Sequence, residues 1–201
     1  MAKIKYTKTE QKHQQDSLKQ FQRFLPTLQL KKQQLQQEVR LSLEKLAANR
    51  EARKEALQNL AGVLIFFSEK SEAEKFTALV KVEAINTSTA NIAGITIPVF
   101  EGVRFADTGW DLLTTPWHTD ECVAALKESL SLRAEGKILE EQYRLLLAEL
   151  TTTSQRVNLF EKVKIPECKE NIRRIRIQLG DMETGAVARS KIAKKKSELN
   201  R

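Results

Sequence analysis

Two stretches at opposite ends of this chain carry the same apolar seam, and that seam limits the fold more than any other feature. The first places Leu18, Phe21, Leu25, Leu28, Leu35, Val39, Leu46, Ala56, Leu60 and Val63 on one unbroken heptad frame. The second reads Leu139, Tyr143, Leu146, Leu150, Val157, Phe160, then Ile165, Cys168, Ile172, Ile175, Leu179 and Met182. Alternating steps of three and four residues held for about six heptads predict a coiled coil rather than ordinary amphipathic helices. Each stretch covers about 45 residues, or roughly 65–70 Å of helix at 1.5 Å per residue. The expected fold is mainly α: a long antiparallel two-helix coiled coil made by the N- and C-terminal segments, with a small central β-hairpin region.

The composition fits long helices with solvated outer faces. Of 201 residues, 30% are charged, with only 7 Gly and 4 Pro. The net charge of +8 is concentrated at the ends. Residues 1–12 carry Lys3, Lys5, Lys8 and Lys12 against Glu10, and residues 164–201 carry eleven Lys/Arg against five Asp/Glu. The remainder is nearly neutral, so an antiparallel hairpin would have one basic tip. The apolar run from Ala61 to Phe67 is far shorter than the ~20 residues a bilayer requires. The lysine-rich start has no apolar core behind it, so neither a signal peptide nor membrane insertion is expected. A cytoplasmic protein is expected, with Cys122 and Cys168 as reduced thiols. Cys168, on the seam, is a small core residue.

Three segments follow from the pattern: 1–83, a long N-terminal helix; 84–119, a central hairpin and loop region; 120–201, a long C-terminal helix with a basic end. Thr7 and Glu10 have the spacing of a capping box. Pro26 lies inside the first heptad frame, and the frame continues through it, which predicts a bend rather than an end. Lys32, Ser42, Asn49 and Arg53 occupy seam positions. Either they fix the register at a cost in stability, or the coil is narrow and they turn outward; the second is the expected case. Residues 84–91 read as polar and poor in helix formers. Ile95–Phe100 and Val103–Phe105 alternate as short strands about a turn at Glu101-Gly102, with Pro98 forcing a strand to the edge. The hairpin is expected to project sideways. Thr114-Thr115-Pro116-Trp117 reads as loop, and helix resumes near Thr119-Asp120.

The second seam skips a residue. After Phe160 the next seam position is Lys164, but the apolar pattern resumes at Ile165, and Pro166 follows. Such a skip unwinds a supercoil locally or bends the helix. Beyond Met182, Ala186–Lys196 could form one more helical stretch with Val187 and Ile192 inward, and the last five residues are expected to fray.

No catalytic residue, cofactor or metal site is expected. There is no phosphate-cradling loop; Gly94, Gly102 and Gly109 are spaced like turns. His13 and His118 have no partner at metal-ligand spacing. Glu72, Glu74, Glu140 and Glu141 read as solvated helix faces. The basic run Lys191, Lys194, Lys195 and Lys196 could meet phosphates, yet it has no aromatic stacking residues and no reading helix beside it, so nucleic acid is not expected to be the partner.

The segment Arg156-Val157-Asn158-Leu159-Phe160-Glu161-Lys162-Val163-Lys164-Ile165-Pro166 resembles the R-V-N-x-x-E-x-V-x-I-P signature of the D subunits of rotary V-type/A-type ATPases, carried here by Arg156, Val157, Asn158, Glu161, Ile165 and Pro166. Pro26-Thr27-Leu28 with Leu30-Lys31 is similar to the opening of that family's first long helix. Asn91-Ile92-Ala93-Gly94-Ile95-Thr96-Ile97-Pro98 looks like its central hairpin. Leu179-Gly180-Asp181-Met182 and Lys191–Lys196 resemble its bacterial branch. Departures are Leu159-Phe160, where the family often has Ala-Leu, and the reduced stretch 181–185.

The resemblance implies a central rotor shaft without a catalytic site of its own. It would transmit torque between ATP hydrolysis or synthesis and H+ or Na+ transport. The implied partners are the A and B subunits of the nucleotide-binding ring, the small F subunit, and the C/d-type subunit that docks the shaft on the membrane rotor. The complex is peripheral to the membrane on its cytoplasmic face. Arg173, Arg174, Arg176, Lys191, Lys194, Lys195 and Lys196 are then expected to face acidic or carbonyl-rich ring surfaces. The hairpin is expected to modulate hydrolysis without being required for assembly. The rival expectation is a free-standing coiled-coil adaptor or nucleic-acid organiser with a basic tip.

Overall fold

The Thr7 hydroxyl starts the first helix. Its Oγ1 accepts from the Glu10 backbone N–H at 3.2 Å, satisfying one of the donors a helix leaves open at its start. The reciprocal half of a capping box is replaced by a side-chain contact, because Glu10 Oε1 accepts from Gln14 Nε2 at 2.9 Å. In this computed structural model residues 5–64, 80–106, 109 and 119–199 are described. The side chains of Leu60 and Val63, the loop Thr114–Trp117, His118, Glu72 and Glu74 lie outside the described residues.

In chain order the elements are α1 (Lys8–Leu64), β1 (Val82–Ile92), β2 (Ile95–Phe105), α2 (Thr119–Leu159), a π-helical turn (Phe160–Lys164) and α3 (Ile165–Leu199). Helix α1 does not end at Pro26. The fold is therefore mainly helical with a central antiparallel hairpin, as the seam and the alternation at 95–105 indicate. The chain forms two compact units. One takes the residues up to Lys32 with those from Thr152 onward, and the other is Gln33–Thr151.

In the unit Gln33–Thr151, the two helices and the hairpin share one core. Leu35, Val39, Ile97 and Leu146 are buried together, and Ala90, Ile92, Ala93, Ile95, Tyr143, Leu145 and Leu150 pack on them. Leu46 and Ala56 continue the buried seam of α1. The hairpin accordingly does not project: Ile97 is only 3% exposed and sits among the helix side chains. Gln142 adds a polar tie, its Nε2 donating to the Pro98 carbonyl.

The hairpin is longer than the alternation suggested, and its turn lies elsewhere. Residues 84–91 belong to strand β1, paired with β2 from Ile92↔Ile95 back to Val82↔Phe105. The turn is Ala93-Gly94, with φ of 51° and 83°. Positive φ at both central residues of a two-residue loop matches the twist of the flanking strands. Asn91 Oδ1 secures it by accepting from the Gly94 N–H at 3.0 Å. Glu101-Gly102 is a bulge instead of a turn: Asn86 pairs with Gly102 and Thr87 with Phe100, so Glu101 is the extra residue.

The polar seam residues Ser42 and Asn49 do not turn outward; they are 5% and 6% exposed. Asn49 is short enough to stay inside and finds partners there. Its Nδ2 donates to the Leu132 carbonyl at 3.2 Å and to Glu135 Oε2 at 3.0 Å. Such paired polar contacts fix the register of a two-helix seam. Lys32 and Arg53, with longer stems, are half-buried.

In the other unit, α1 runs antiparallel to the segment from α2 through α3. Lys8 Nζ meets Glu183 Oε1 at 3.0 Å, while Phe21 and Phe160 bring their ring centroids to 5.0 Å. Val157, Cys168 and Ile175 are buried along this seam, and Leu28, Ile172 and Leu179 are half-buried. Thr153 and Asn171 are buried polar members of it. Beyond Leu179 the inward expectation fails. Met182 is 56% exposed, Val187 54% and Ile192 60%, because no described helix covers that face. Helix α3 continues to Leu199.

Candidate functional site

The one-residue skip in the second seam is absorbed in the backbone. The Ile165 N–H bonds the Phe160 carbonyl, an i→i+5 contact, and Phe160–Lys164 form the π turn. One wider turn accommodates the additional residue. The seam therefore keeps facing α1: Val157 is buried before the turn, and Cys168, Asn171 and Ile175 after it. Of the signature residues, Val157 is buried and Ile165 half-buried, while Arg156, Asn158, Glu161 and Pro166 are exposed. The signature thus marks a backbone irregularity with polar groups on its outer side.

The basic residues fall into two groups. Lys191, Lys194, Lys195 and Lys196 are all exposed on the last turns of α3. Lys194 has only a long contact to Glu198, 3.9 Å. In the second turn after the π turn, Glu170 collects two guanidinium groups. Arg173 donates through Nε and Nη2 at 2.9 Å each, and Arg174 through Nε at 2.9 Å. Those hydrogen bonds, Arg173 first, hold the Glu170 carboxyl down at about 2. Arg173 and Arg174 therefore present a partly neutralised cluster, and all three arginines, Arg176 included, are exposed.

Other groups are arranged for structure. Burial pushes both thiols, Cys122 and Cys168, above the ordinary cysteine range. Cys168 lines a shallow cleft with Gln14, Phe21 and Glu167. Among the described residues, no group of three or more His, Cys, Asp or Glu could hold a metal ion. No described helix is long and apolar enough to cross a membrane.

Sequence reasoning located the seam, the skip and the basic end. It missed Gly136, where the two helices approach closely, and the Lys8–Glu183 pair. Gly136 could have been found, because a lone glycine in a helical stretch often has a packing reason.

These features define a class: an antiparallel helical protein with a π turn in its second seam, a packed hairpin and a basic helical end. The family model of the ATP synthase D subunit matches residues 10–195. A V-type ATP synthase D subunit from Borreliella burgdorferi is 45% identical over 195 residues, covering 96% of this chain and 95% of that protein. A protein of the same name from Chlamydia felis is 32% identical over 195 residues, covering 97% and 94%. One from Chlamydia trachomatis is 33% identical over 199 residues, covering 97% and 96%. The chain belongs to the family of ATP synthase D subunits.

Proposed function

We propose that this chain is the central-stalk component of a V-type ATP synthase, a shaft that passes torque between nucleotide chemistry in the A/B ring and ion transport in the membrane rotor. The observation that carries this reading is near-full-length similarity to relatives named as the D subunit of V-type ATP synthases, beginning with the 45% identical protein. The packed seam and the register bond at Asn49 support it, because a shaft must resist slippage between its two helices.

In this reading the chain works at the cytoplasmic face of the membrane. It carries the F subunit and docks on the C/d-type subunit. Catalysis belongs to the ring. The exposed Lys191, Lys194, Lys195 and Lys196 face acidic or carbonyl-rich ring surfaces, with Arg173, Arg174 and Arg176 behind them. Contacts of this kind are worth about 0–1 kcal/mol each, weak enough to be remade during rotation. The hairpin modulates hydrolysis through its outward residues.

The test is reconstitution with the homologous A, B and F subunits, with ATP hydrolysis and ion transport measured together. Coupled turnover that requires this chain supports the proposal. Steeply salt-dependent DNA binding with no recovery of A, B or F would replace it with the organiser reading. Alanine at the seven basic positions should weaken ring binding and flatten its salt dependence; unchanged binding would remove these residues from the interface.

A further inference from the structure

The contact between Phe21 and Phe160 coincides with a loss of backbone bonding on both helices. On α1, Pro26 brings no N–H to the carbonyl of Gln22, the residue next to Phe21. On the facing helix, the carbonyl of Glu161, the residue next to Phe160, has no helical donor available. Its i+4 donor, the Ile165 N–H, is committed to Phe160, and its i+5 residue is Pro166, which has no N–H. Glu161 is exposed, so water can take the place of the missing donor.

Side-chain burial at this level is partial. Phe21 and Phe160 are half-buried, and their rings meet at a tilt of 38°. Leu159 and Val163, beside and within the π turn, are 44% and 48% exposed. Further along the pair, Cys168 and Ile175 are buried again.

We infer that this level is a built-in joint: the two aromatic rings form a pivot, and the helix pair yields there more readily than above or below it. The segment Ile165–Leu199, which carries the basic end, can tilt against residues 152–159 without breaking the seam bonds elsewhere. Helices bend where carbonyls lose their ladder partners to water, proline or a π turn. Here one such site lies next to each of the two residues that make the ring contact. The joint is a property of the chain alone and does not depend on the rotor reading.

The sequence skip suggests how to remove it. Deleting Val163 returns Ile165 to the seam position that follows Phe160, so an ordinary α-helix would satisfy the heptad frame. Val163 is exposed, so its loss takes nothing from the core. Replacing Pro166 by Ala then restores the missing donor. Amide hydrogen exchange of the full chain, read by mass spectrometry, tests the idea. In the wild type, peptides spanning 158–168 and 20–28 should exchange faster than those spanning 170–179. In the Val163 deletion combined with Pro166→Ala, exchange across the former π turn should slow by about five- to tenfold, the equivalent of one restored bond. If the deletion does not fold, Pro166→Ala alone should slow exchange in the same peptide, and Pro26→Ala should do so on α1. Wild-type exchange at 158–168 as slow as at 170–179, or no slowing in the folded variants, overturns the joint.

Discussion

Asn49 occupies the space that a side chain at position 136 would need: its Oδ1 lies 2.8 Å from the position of a Cβ on Gly136. Glycine there is a requirement of the partner helix rather than of its own backbone. In an otherwise open helix, Gly→Ala stabilises by about 0.8–1.0 kcal/mol. Here Gly136→Ala forces Asn49 off the Leu132 carbonyl and Glu135, and overpacking typically costs about 1–3 kcal/mol. The expected net effect in the wild type is destabilisation. In an Asn49→Ala background the same change should stabilise. Thermal unfolding of the four proteins in this cycle measures it, and the same sign in both backgrounds would refute the contact.

Ser42 should respond in the opposite direction. Its Oγ is buried in the seam without a hydrogen-bond partner. An unsatisfied buried hydroxyl costs about 1–3 kcal/mol, and alanine is the better helix former. Ser42→Ala is therefore expected to raise the urea midpoint with no change in slope. A lowered midpoint would mean that the hydroxyl contributes a bond in solution.

The placement of the hairpin can be tested at Ile97. Because it sits in the core with Leu35, Val39 and Leu146, Ile97→Ala should cost about 2–5 kcal/mol. Ile85, 46% exposed on the other strand, should tolerate alanine within about 0.5 kcal/mol. Chemical denaturation of both variants distinguishes a docked hairpin from one that stands clear.

Acid should release the Glu170 cluster. The folded carboxyl is lowered from 4.5 to about 2 by Arg173 and Arg174. A depressed carboxylate stabilises the fold above its unfolded value, and that contribution disappears as pH falls from about 4.5 toward 2. The group is on the surface, so the effect is small and weakens with salt. Changing Arg173 and Arg174 to Gln should return the carboxyl titration, followed by NMR, toward the ordinary range.

Helix and strand differed in how much the sequence disclosed about them. The seam was readable because each of Leu35, Val39, Leu46, Leu146 and Val157 falls on a repeat that only a buried helix stripe explains. The skip before Ile165 was readable for the same reason, although not that a π turn would absorb it. Residues 84–91 were not assigned to a strand, because strand pairing depends on the partner strand more than on composition. Glu101-Gly102 has turn-forming residues but serves as a bulge, while Ala93 takes a positive φ only because Gly94 and Asn91 hold the turn around it. Val187 and Ile192 have an apolar character that periodicity can detect, but periodicity does not say whether a covering surface belongs to the same chain. Among the signature residues, the sequence located the site; the lost donor at Glu161 required the backbone bonds.

The reversal at Ala93-Gly94 has a practical consequence. Hairpin tips are the customary place to insert an epitope or a fluorophore, because most of them point into solvent. In this chain Ala93 lies against the cluster around Leu35 and Leu146. An insertion there would pry the two strands off the helices, so a reporter belongs on the solvent side of α3, where Val187 and Ile192 already stand uncovered.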